Sequence, residues 1–497
     1  MNTISSFFLI LPEFFLSFLI ITIILVNSFL RNNKNKILLF LTIIILILLI
    51  SISGFYLYFG FYGNIFNGLY ILDPISYFIK IVSYLNLLII LIYGNLHVNF
   101  LNLICKNEIY SLSLFALLGQ IIVTSANNLI IIYLGIELMS LSLYSLIAMR
   151  KDSILSIEAS IKYFILSSLS SGIFLYGLSM IYGATSCLDL INIKYIIIQG
   201  KSDYTILVFG LLFAVCGLLF KFGSVPFHMW IPDVYHGSDL IVTLILSSAP
   251  KLSVFIVTMR LFIESISDIS DELKFILVIS SISSIFIGNV TAIAQVNLKR
   301  MIAYSSISHV GFVILCISLG MIQIDVNNKI QAYGSALFYI VIYIFNILGS
   351  IGTILILSKN SSEFEQISNL SGLYKNYPHQ ALILLIMMFS SSGIPPTAGF
   401  HSKLLVLHTA IISKNIFLAF IISIMSVIGL YYYLRIIKIM YFEKTIKKHN
   451  KKNNCFQKIQ VFILYINATI LFILGIFPNI LLNNCMNIVR NSFIFFD

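Results

Sequence analysis

The chain reads as a succession of long apolar runs separated by short polar interruptions. A helix needs about 20 apolar residues to cross some 30 Å of hydrocarbon. That ruler marks seven spans, near 4–30, 37–60, 72–94, 109–126, 128–148, 158–182 and 204–235. Seven more follow, near 240–263, 273–294, 298–321, 333–357, 379–413, 415–440 and 458–484. The pattern predicts an all-α polytopic membrane protein of about 14 transmembrane helices, with no soluble domain and no long linker.

Two spans carry breaks. The seventh holds Lys221-Phe-Gly-Ser-Val-Pro226 and then Pro232, and the twelfth holds Gly393-Ile-Pro395-Pro396 followed by Gly399. Proline removes a backbone donor and clashes with the preceding turn, so helices 7 and 12 should be discontinuous. Backbone groups freed at membrane depth are tolerable only beside protein or water. The breaks lie five spans apart, an odd number, which predicts two inverted five-helix repeats. They would occupy 109–263 (spans 4–8) and 264–440 (spans 9–13). A three-helix segment, 1–108, would precede them, and a basic loop with the last helix, 441–497, would follow. An ordinary proline kink is the alternative at either site.

Composition agrees with lipid as the solvent. Apolar residues make up 59% of the 497 and charged ones 10%, with a mean hydropathy of +1.01. A soluble domain would be roughly a quarter charged. The net charge of +11 is scattered between apolar runs, so it reads as a topology signal and excludes nucleic acid as a partner. Loops after odd-numbered spans hold Arg31, Lys34, Lys36, Lys106, Arg150, Lys151, Lys299, Arg300, Lys359, Lys375 and the cluster Lys444 to Lys458. Loops after even-numbered spans hold only Lys194, Lys201, Lys274, Lys329 and Lys414. Odd loops should therefore face the cytoplasm or matrix, with both termini on the opposite side.

The amino terminus is apolar from Met1 and carries Pro12 and Glu13 without a basic leading region. It reads as a retained first helix, not as an export signal or mitochondrial presequence. Abundant Ile, Asn, Lys, Phe and Tyr suit an AT-rich, organelle-encoded gene. The mitochondrial inner membrane is the expected location, with a bacterial plasma membrane as the alternative. Cys105, Cys187, Cys216, Cys316, Cys455 and Cys485 are far apart, without a C-x-x-C pair. No metal or iron–sulfur site is expected, and no glycine-rich loop announces a nucleotide or flavin.

Ionisable residues inside spans carry the chemistry, because each costs at least ~2.5–3.5 kcal/mol at a helix centre. Five stand out: Glu137 mid-span in the fifth, Lys162 in the sixth, Lys221 at the seventh-span break, Lys251 after Pro250, and Lys403 beyond the twelfth-span break. Ser140, Leu141 and Tyr144 share the face of Glu137. A buried lysine gains or loses its proton on modest rearrangement, since burial and a nearby carboxylate act in opposite senses. Glu137 is the natural counter-charge, and such groups in series make a proton wire. The bland alternative is local pairing, as Glu158 and Lys162 could achieve at i, i+4. His228, His309 and His408 are secondary relay candidates, each with a hydrogen-bonded core role as its alternative.

Taken in order, several stretches resemble subunit 2 (N in bacteria) of the proton-pumping NADH:ubiquinone oxidoreductases, respiratory complex I. They are Leu134-Gly-Ile-Glu137-Leu-Met-Ser140, Glu158-Ala-Ser-Ile-Lys162-Tyr-Phe164, and Phe220-Lys-Phe-Gly-Ser-Val-Pro-Phe-His-Met-Trp230. Ala249-Pro-Lys251, Lys299-Arg-Met-Ile-Ala-Tyr-Ser-Ser306 and Gly393-Ile-Pro-Pro-Thr-Ala-Gly-Phe400 complete the set. The resemblance covers essentially the whole chain. It implies an antiporter-like fold and a role in coupling electron transfer to proton translocation. It gives Glu137 and Lys221 the Glu–Lys pair of a first half-channel, Lys251 the central relay, and Lys403 the terminal proton residue of a second. Lys162 matches a further lysine of the sixth helix. NADH, FMN, iron–sulfur clusters and ubiquinone would sit on other subunits. Partners would be membrane-arm subunits 4, 4L, 6 and 3, together with lipid. One departure is Asp239-Leu240-Ile241, where the family places Pro and a small polar residue. The favoured expectation for Asp239 is a solvated helix cap, the other a role in proton access. A secondary cation/proton antiporter subunit is the rival function, and a scaffold the third.

Overall fold

The computed structural model describes residues 8–29, 35–100, 107–200, 202–261, 271–358, 365–444 and 455–496. The helices before the first break are α1 (Leu11–Phe29), α2 (Asn35–Phe59), α3 (Pro74–Phe100), α4 (Glu108–Ser125), α5 (Leu129–Ile147), α6 (Ile154–Thr185) and α7 (Tyr204–Phe222). Beyond it lie α8 (Leu240–Arg260), α9 (Asp271–Ala294), α10 (Leu298–Ile322), α11 (Val326–Leu357) and α12, in two halves, Pro378–Ser392 and Ala398–Ile412. The chain continues through α13 (Ile416–Phe442), α14 (Cys455–Ile476) and α15 (Asn479–Phe496). Among the described residues 13 helices are long and apolar enough to cross a membrane, and the halves of α12 together make one more. The chain is a multi-pass membrane protein.

The span rule erred where a local residue overrode hydropathy. The last predicted span ran to 484, but α14 stops at Ile476 and a separate helix begins at Asn479. Pro478 between them cannot extend a helix. Helix α6 is 32 residues long, well beyond its predicted 158–182. A short helix, Leu190–Ile198, and a small antiparallel hairpin, Gly63–Ile65 with Tyr70–Leu72, had no hydropathy signal. Arg31, Lys34, Lys106, Lys201, Lys359 and most of the basic cluster after Lys444 lie outside the described residues.

Every residue of α8 is buried, and α10 and α11 are buried almost throughout. A helix apolar on all sides must be wrapped by others. Phe14, Phe18, Phe40, Leu48, Phe417 and Phe462, on α1, α2, α13 and α14, point outward as lipid-facing residues would. Helices α1, α2 and α3 share an apolar cluster with α4, where Leu16, Leu49, Leu87 and Leu117 meet.

Inverted repeats are visible in matching details. Asn128 caps α5 through the Ile130 N–H, and Asn297 caps α10 through the N–H groups of Lys299 and Arg300. Asn128 also bridges to Asp189 beyond α6, as Asn297 bridges to Gln366 beyond α11. Helices α4 and α5 touch backbone to backbone, and so do α9 and α10. A Cβ on Gly119 would lie 2.7 Å from the Gly135 carbonyl, and one on Gly288 2.7 Å from the Ser308 nitrogen. Small residues at such crossings are the membrane solution to close packing.

Candidate functional site

At the first break α7 ends on Gly223, whose φ of +74° suits a residue without Cβ. Its N–H donates to the Leu219 and Phe220 carbonyls, and the Ser224 N–H donates to Leu219. Six residues on, the short helix Trp230–Gly237 is pinned when the Trp230 indole donates to the Phe220 carbonyl at 3.0 Å. Lys221, in the last turn of α7, is buried and donates to the Ser167 hydroxyl of α6 at 2.5 Å.

Glu137 lies within electrostatic reach of Lys221 but does not touch it. The Ser140 hydroxyl reaches one Glu137 carboxylate oxygen at 3.5 Å, while the other is buried without a partner among the described residues. The Tyr144 hydroxyl, also buried, faces Ser140 and Ser167 without closing a hydrogen bond to either. The implied Glu–Lys pair is thus a gapped one, with Ser140, Tyr144 and Ser167 strung between carboxylate and amine. Orphaned buried polar atoms are rare and expensive, so this gap suits water.

Lys251 sits at the centre of α8. Pro250 has no N–H, which frees the Leu246 carbonyl one turn back; the Tyr235 hydroxyl faces it at 3.5 Å. The Lys251 amine donates to the Tyr343 hydroxyl of α11 at 2.5 Å, and that hydroxyl donates to the Ser247 carbonyl at 3.4 Å. The same amine stands 4.7 Å from the Tyr343 ring centre. His309 of α10 follows, its ring centre 5.5 Å from that of Tyr343. Its Nδ1 bonds the Tyr339 hydroxyl at 2.8 Å and its Nε2 the Tyr433 hydroxyl at 3.0 Å. His309 feels the charges of both Lys251 and Lys403.

At the second break Gly393, with φ +84°, ends the first half of α12. Its N–H donates to the Phe389 and Ser390 carbonyls, and the Ile394 N–H donates to Phe389, the same cap as at the first break. Lys403, in the second half, folds back so that its amine donates to the Ser392 carbonyl at 2.7 Å. Its side chain lies so close that a Cβ on Gly393 would be 2.8 Å from the lysine Cδ. The amine is 6.0 Å from the ring centre of Phe312, one turn beyond His309.

These contacts form three polar groups: Glu137 facing Lys221, Lys251 with Tyr343 and His309, and Lys403 at the second break. Three other candidates stand apart. The side chain of Lys162 is 43% exposed, paired with Glu158 at 2.7 Å and Asp233 at 3.0 Å beside a cleft of about 100 Å³. It adopts the i, i+4 pairing available from sequence. His408 is exposed and bonded to Gln331 at 3.0 Å. His228 is buried beside the first break, its Nδ1 without a partner among the described residues. Asp239 is not the solvated cap expected of it. Its side chain is buried, makes no capping bond, and pairs with Arg150 Nε at 2.7 Å. Burial pushes its carboxyl up, against the pull of Arg150 and Lys299.

Sequence reasoning missed the hydroxyl carriers Ser167, Tyr343 and Tyr433, which no pattern separates from packing residues. It also passed over Glu13, Asp73, Lys80 and Arg260. Lys80 bonds Glu13, and Arg260 bonds Asp73 at 2.7 Å, with Lys80 and the Arg260–Asp73 pair fully enclosed. The cost rule applied to the five chosen charges reaches these as well.

The family model described as NADH:quinone oxidoreductase/Mrp antiporter, TM, matches residues 126–429, which span α5 to α13. NADH-quinone oxidoreductase subunit N of Herminiimonas arsenicoxydans is 40% identical over 481 residues, 96% of each chain. A chain of respiratory complex I from Thermus thermophilus superposes with a TM-score of 0.78 at 25% identity, covering 95% of this chain and 98% of that one. A chain of the Mrp complex from Dietzia sp. DQ12-45-1b gives a TM-score of 0.85 at 16% identity, covering 99% and 98%. Fold alone therefore does not separate the two branches of the group; sequence identity does. The named relative is bacterial, which suits the plasma-membrane alternative and gives the mitochondrial expectation no support. The chain belongs to the subunit N family of the NADH-quinone oxidoreductases.

Proposed function

We propose that this chain is a proton-translocating membrane subunit of an NADH:quinone oxidoreductase, working through the file Glu137, Lys221, Lys251, His309 and Lys403. One observation carries the reading. Three lysines, on α7, α8 and the second half of α12, have no touching carboxylate among the described residues. Lys221 and Lys251 are buried and Lys403 half-buried, and each amine is held by a neutral oxygen: Ser167, Tyr343 or the Ser392 carbonyl. A neutral acceptor adds no charge that would hold the proton on the amine, so modest rearrangement can release it. A scaffold has no use for three such groups, since each costs burial energy that an apolar residue would not.

In this reading Glu137 and Lys221 exchange charge across the Ser140–Tyr144–Ser167 gap. Lys251 passes protons through Tyr343 towards His309, and Lys403 is the far terminus. NADH, FMN, iron–sulfur clusters and ubiquinone belong to other subunits, so the driving force arrives through contacts with the rest of the membrane arm, the neighbours of subunits 4, 4L, 6 and 3. The complex sits in an energy-transducing membrane, with the loops carrying Arg150 and Arg300 on the cytoplasm or matrix side.

The test is Lys251→Ala in assembled complex at normal abundance. Proton pumping and NADH-to-quinone turnover should both fall about tenfold or more, the loss of one obligatory transfer step. NADH oxidation by a water-soluble acceptor should be unchanged. Lys251→Arg should not rescue, because guanidinium keeps its proton. Normal pumping by assembled Lys251→Ala complex would remove the relay role.

A further inference from the structure

Helix α3 packs along α8, the helix of Lys251, and the two run antiparallel. Two contacts fix their register. The Asn86 amide donates to the Ser248 hydroxyl at 2.8 Å, and Arg260 donates to Asp73 at 2.7 Å. Thirteen residues of α3 thus run against twelve of α8. Lys80 then lies about one helical turn beyond Lys251 along the axis, towards the face opposite the loops of Arg150 and Arg300.

The α3 side of this contact is polar at helical spacing. Asp73, Ser76, Lys80, Ser83 and Asn86 are all buried. Asp73 and Ser76 cap the start of α3 reciprocally and Ser83 returns its hydroxyl to the Lys80 carbonyl. At Lys80 and Asn86, by contrast, an apolar residue would pack as well without the cost of dehydration. Lys80 bonds Glu13 of α1, whose side chain is 14% exposed while that of Lys80 is fully enclosed. One member of the pair therefore faces inward and the other opens towards the rim. Two buried oxygens along this path have no partner among the described residues: Asn86 Oδ1 and Glu13 Oε2. Such atoms are normally satisfied by protein or ordered water, and here the described residues do not satisfy them.

We propose that the α3–α8 seam is an outward proton branch from Lys251. Asn86 anchors the inner end of the seam beside Ser248, Lys80 receives the proton, and Glu13 hands it to the outer face. Each transfer moves one proton from a protonated donor to a deprotonated acceptor, and Lys251 is recharged by the file already described, on whose relay role the branch rests. Asp73, just before α3, and Arg260 of α8 pair with each other beside Lys80.

The experiment uses assembled complex reconstituted in liposomes. Glu13→Gln combined with Lys80→Met removes both charges together, so no lone charge is left buried. Asn86→Leu, nearly isosteric, tests the branch without touching a charge. Both should cut proton pumping about threefold or more at unchanged activity with a water-soluble acceptor, whereas Asn86→Ser, which keeps a hydrated polar group, should restore most of it. A purely structural seam would tolerate the apolar replacements, so normal pumping by either assembled variant overturns the branch. Lys251→Ala run beside them separates the two ideas. If it stops pumping while the seam variants pump normally, only the branch fails. If it too pumps normally, the relay reading falls and the branch with it.

Discussion

The breaks in α7 and α12 share a cap yet place their lysines on opposite sides of it. Lys221 precedes Gly223, belongs to the intact helix, and gives its proton bond to a side chain, Ser167, on a neighbouring element. Lys403 follows Gly393, belongs to the second half, and reaches back to Ser392, the last residue of the first. The carbonyl end of a half-helix carries partial negative charge, so the second lysine is held by the break itself. A carboxylate, Glu137, stands within reach of the first lysine. The second has the field of no carboxylate among the described residues. On the proposed function the first site would be switched by moving a counter-charge or the water between, whereas the second would be a store whose holding oxygen cannot move without moving the helix.

The largest effect that follows is at the store. Lys403→Ala should cut pumping about tenfold or more in assembled complex, since no other titratable group caps that half-helix and one transfer step is lost outright. Lys403→Arg should fail to rescue for want of a releasable proton. Pumping retained in Lys403→Ala would reduce the second break to packing.

Next comes the asymmetry in the holding oxygens. Ser167→Ala removes the acceptor of Lys221 and leaves its amine short of a hydrogen bond worth about 1.5–3 kcal/mol. Pumping should slow about fivefold. Ser392→Ala keeps the backbone carbonyl that holds Lys403, so its effect should stay under about twofold. Equal losses from the two serines would erase the distinction between switch and store.

The glycines sharpen the comparison through stability. Both hold left-handed φ, so Ala at either costs about 1–2 kcal/mol. A Cβ on Gly223 would meet Ile231 Cδ1 at 1.8 Å, inside the packed second half, whereas on Gly393 it meets the flexible Lys403 chain at 2.8 Å. Gly223→Ala should therefore lower the subunit's resistance to heat more, and Gly393→Ala should disturb pumping more. The reverse order in melting and pumping assays would contradict the geometry.

Hydropathy length carried most of the fold, because a bilayer imposes one ruler on every span and proline imposes one kind of break. It was blind to α15, where Pro478 redirects a run that is apolar in composition, and to the Gly63–Leu72 hairpin, which hydropathy cannot register. The site was legible as charges but not as connections. Lys221, Lys251 and Lys403 announce themselves by cost, while Ser167, Tyr343 and Tyr433 are ordinary membrane residues until the fold brings a proton donor to them. Asp239 misled because a helix N-terminus usually meets water, and here Arg150 closes over it.

The smallest effect should come from the charge that looked most like its companions. Lys162 matches the buried lysines in residue type and in lying within a span, yet its side chain is 43% exposed and satisfied twice over by carboxylates. Arg300 also reaches Asp233, so the cluster keeps a cation when Lys162 is lost. Glu158 is itself 53% exposed at its side chain and is not stranded without its partner. Exposed ion pairs of this kind contribute little individually. Lys162→Ala should therefore leave assembly normal and pumping within about twofold of the parent. Lys162→Ala combined with Arg300→Ala, which strips Asp233 of both cations, should cost more than the two single changes together. A loss in Lys162→Ala as large as in Lys403→Ala would place Lys162 in the proton file after all, and would mean that the exposed face of α6 closes when the neighbouring subunits are in place.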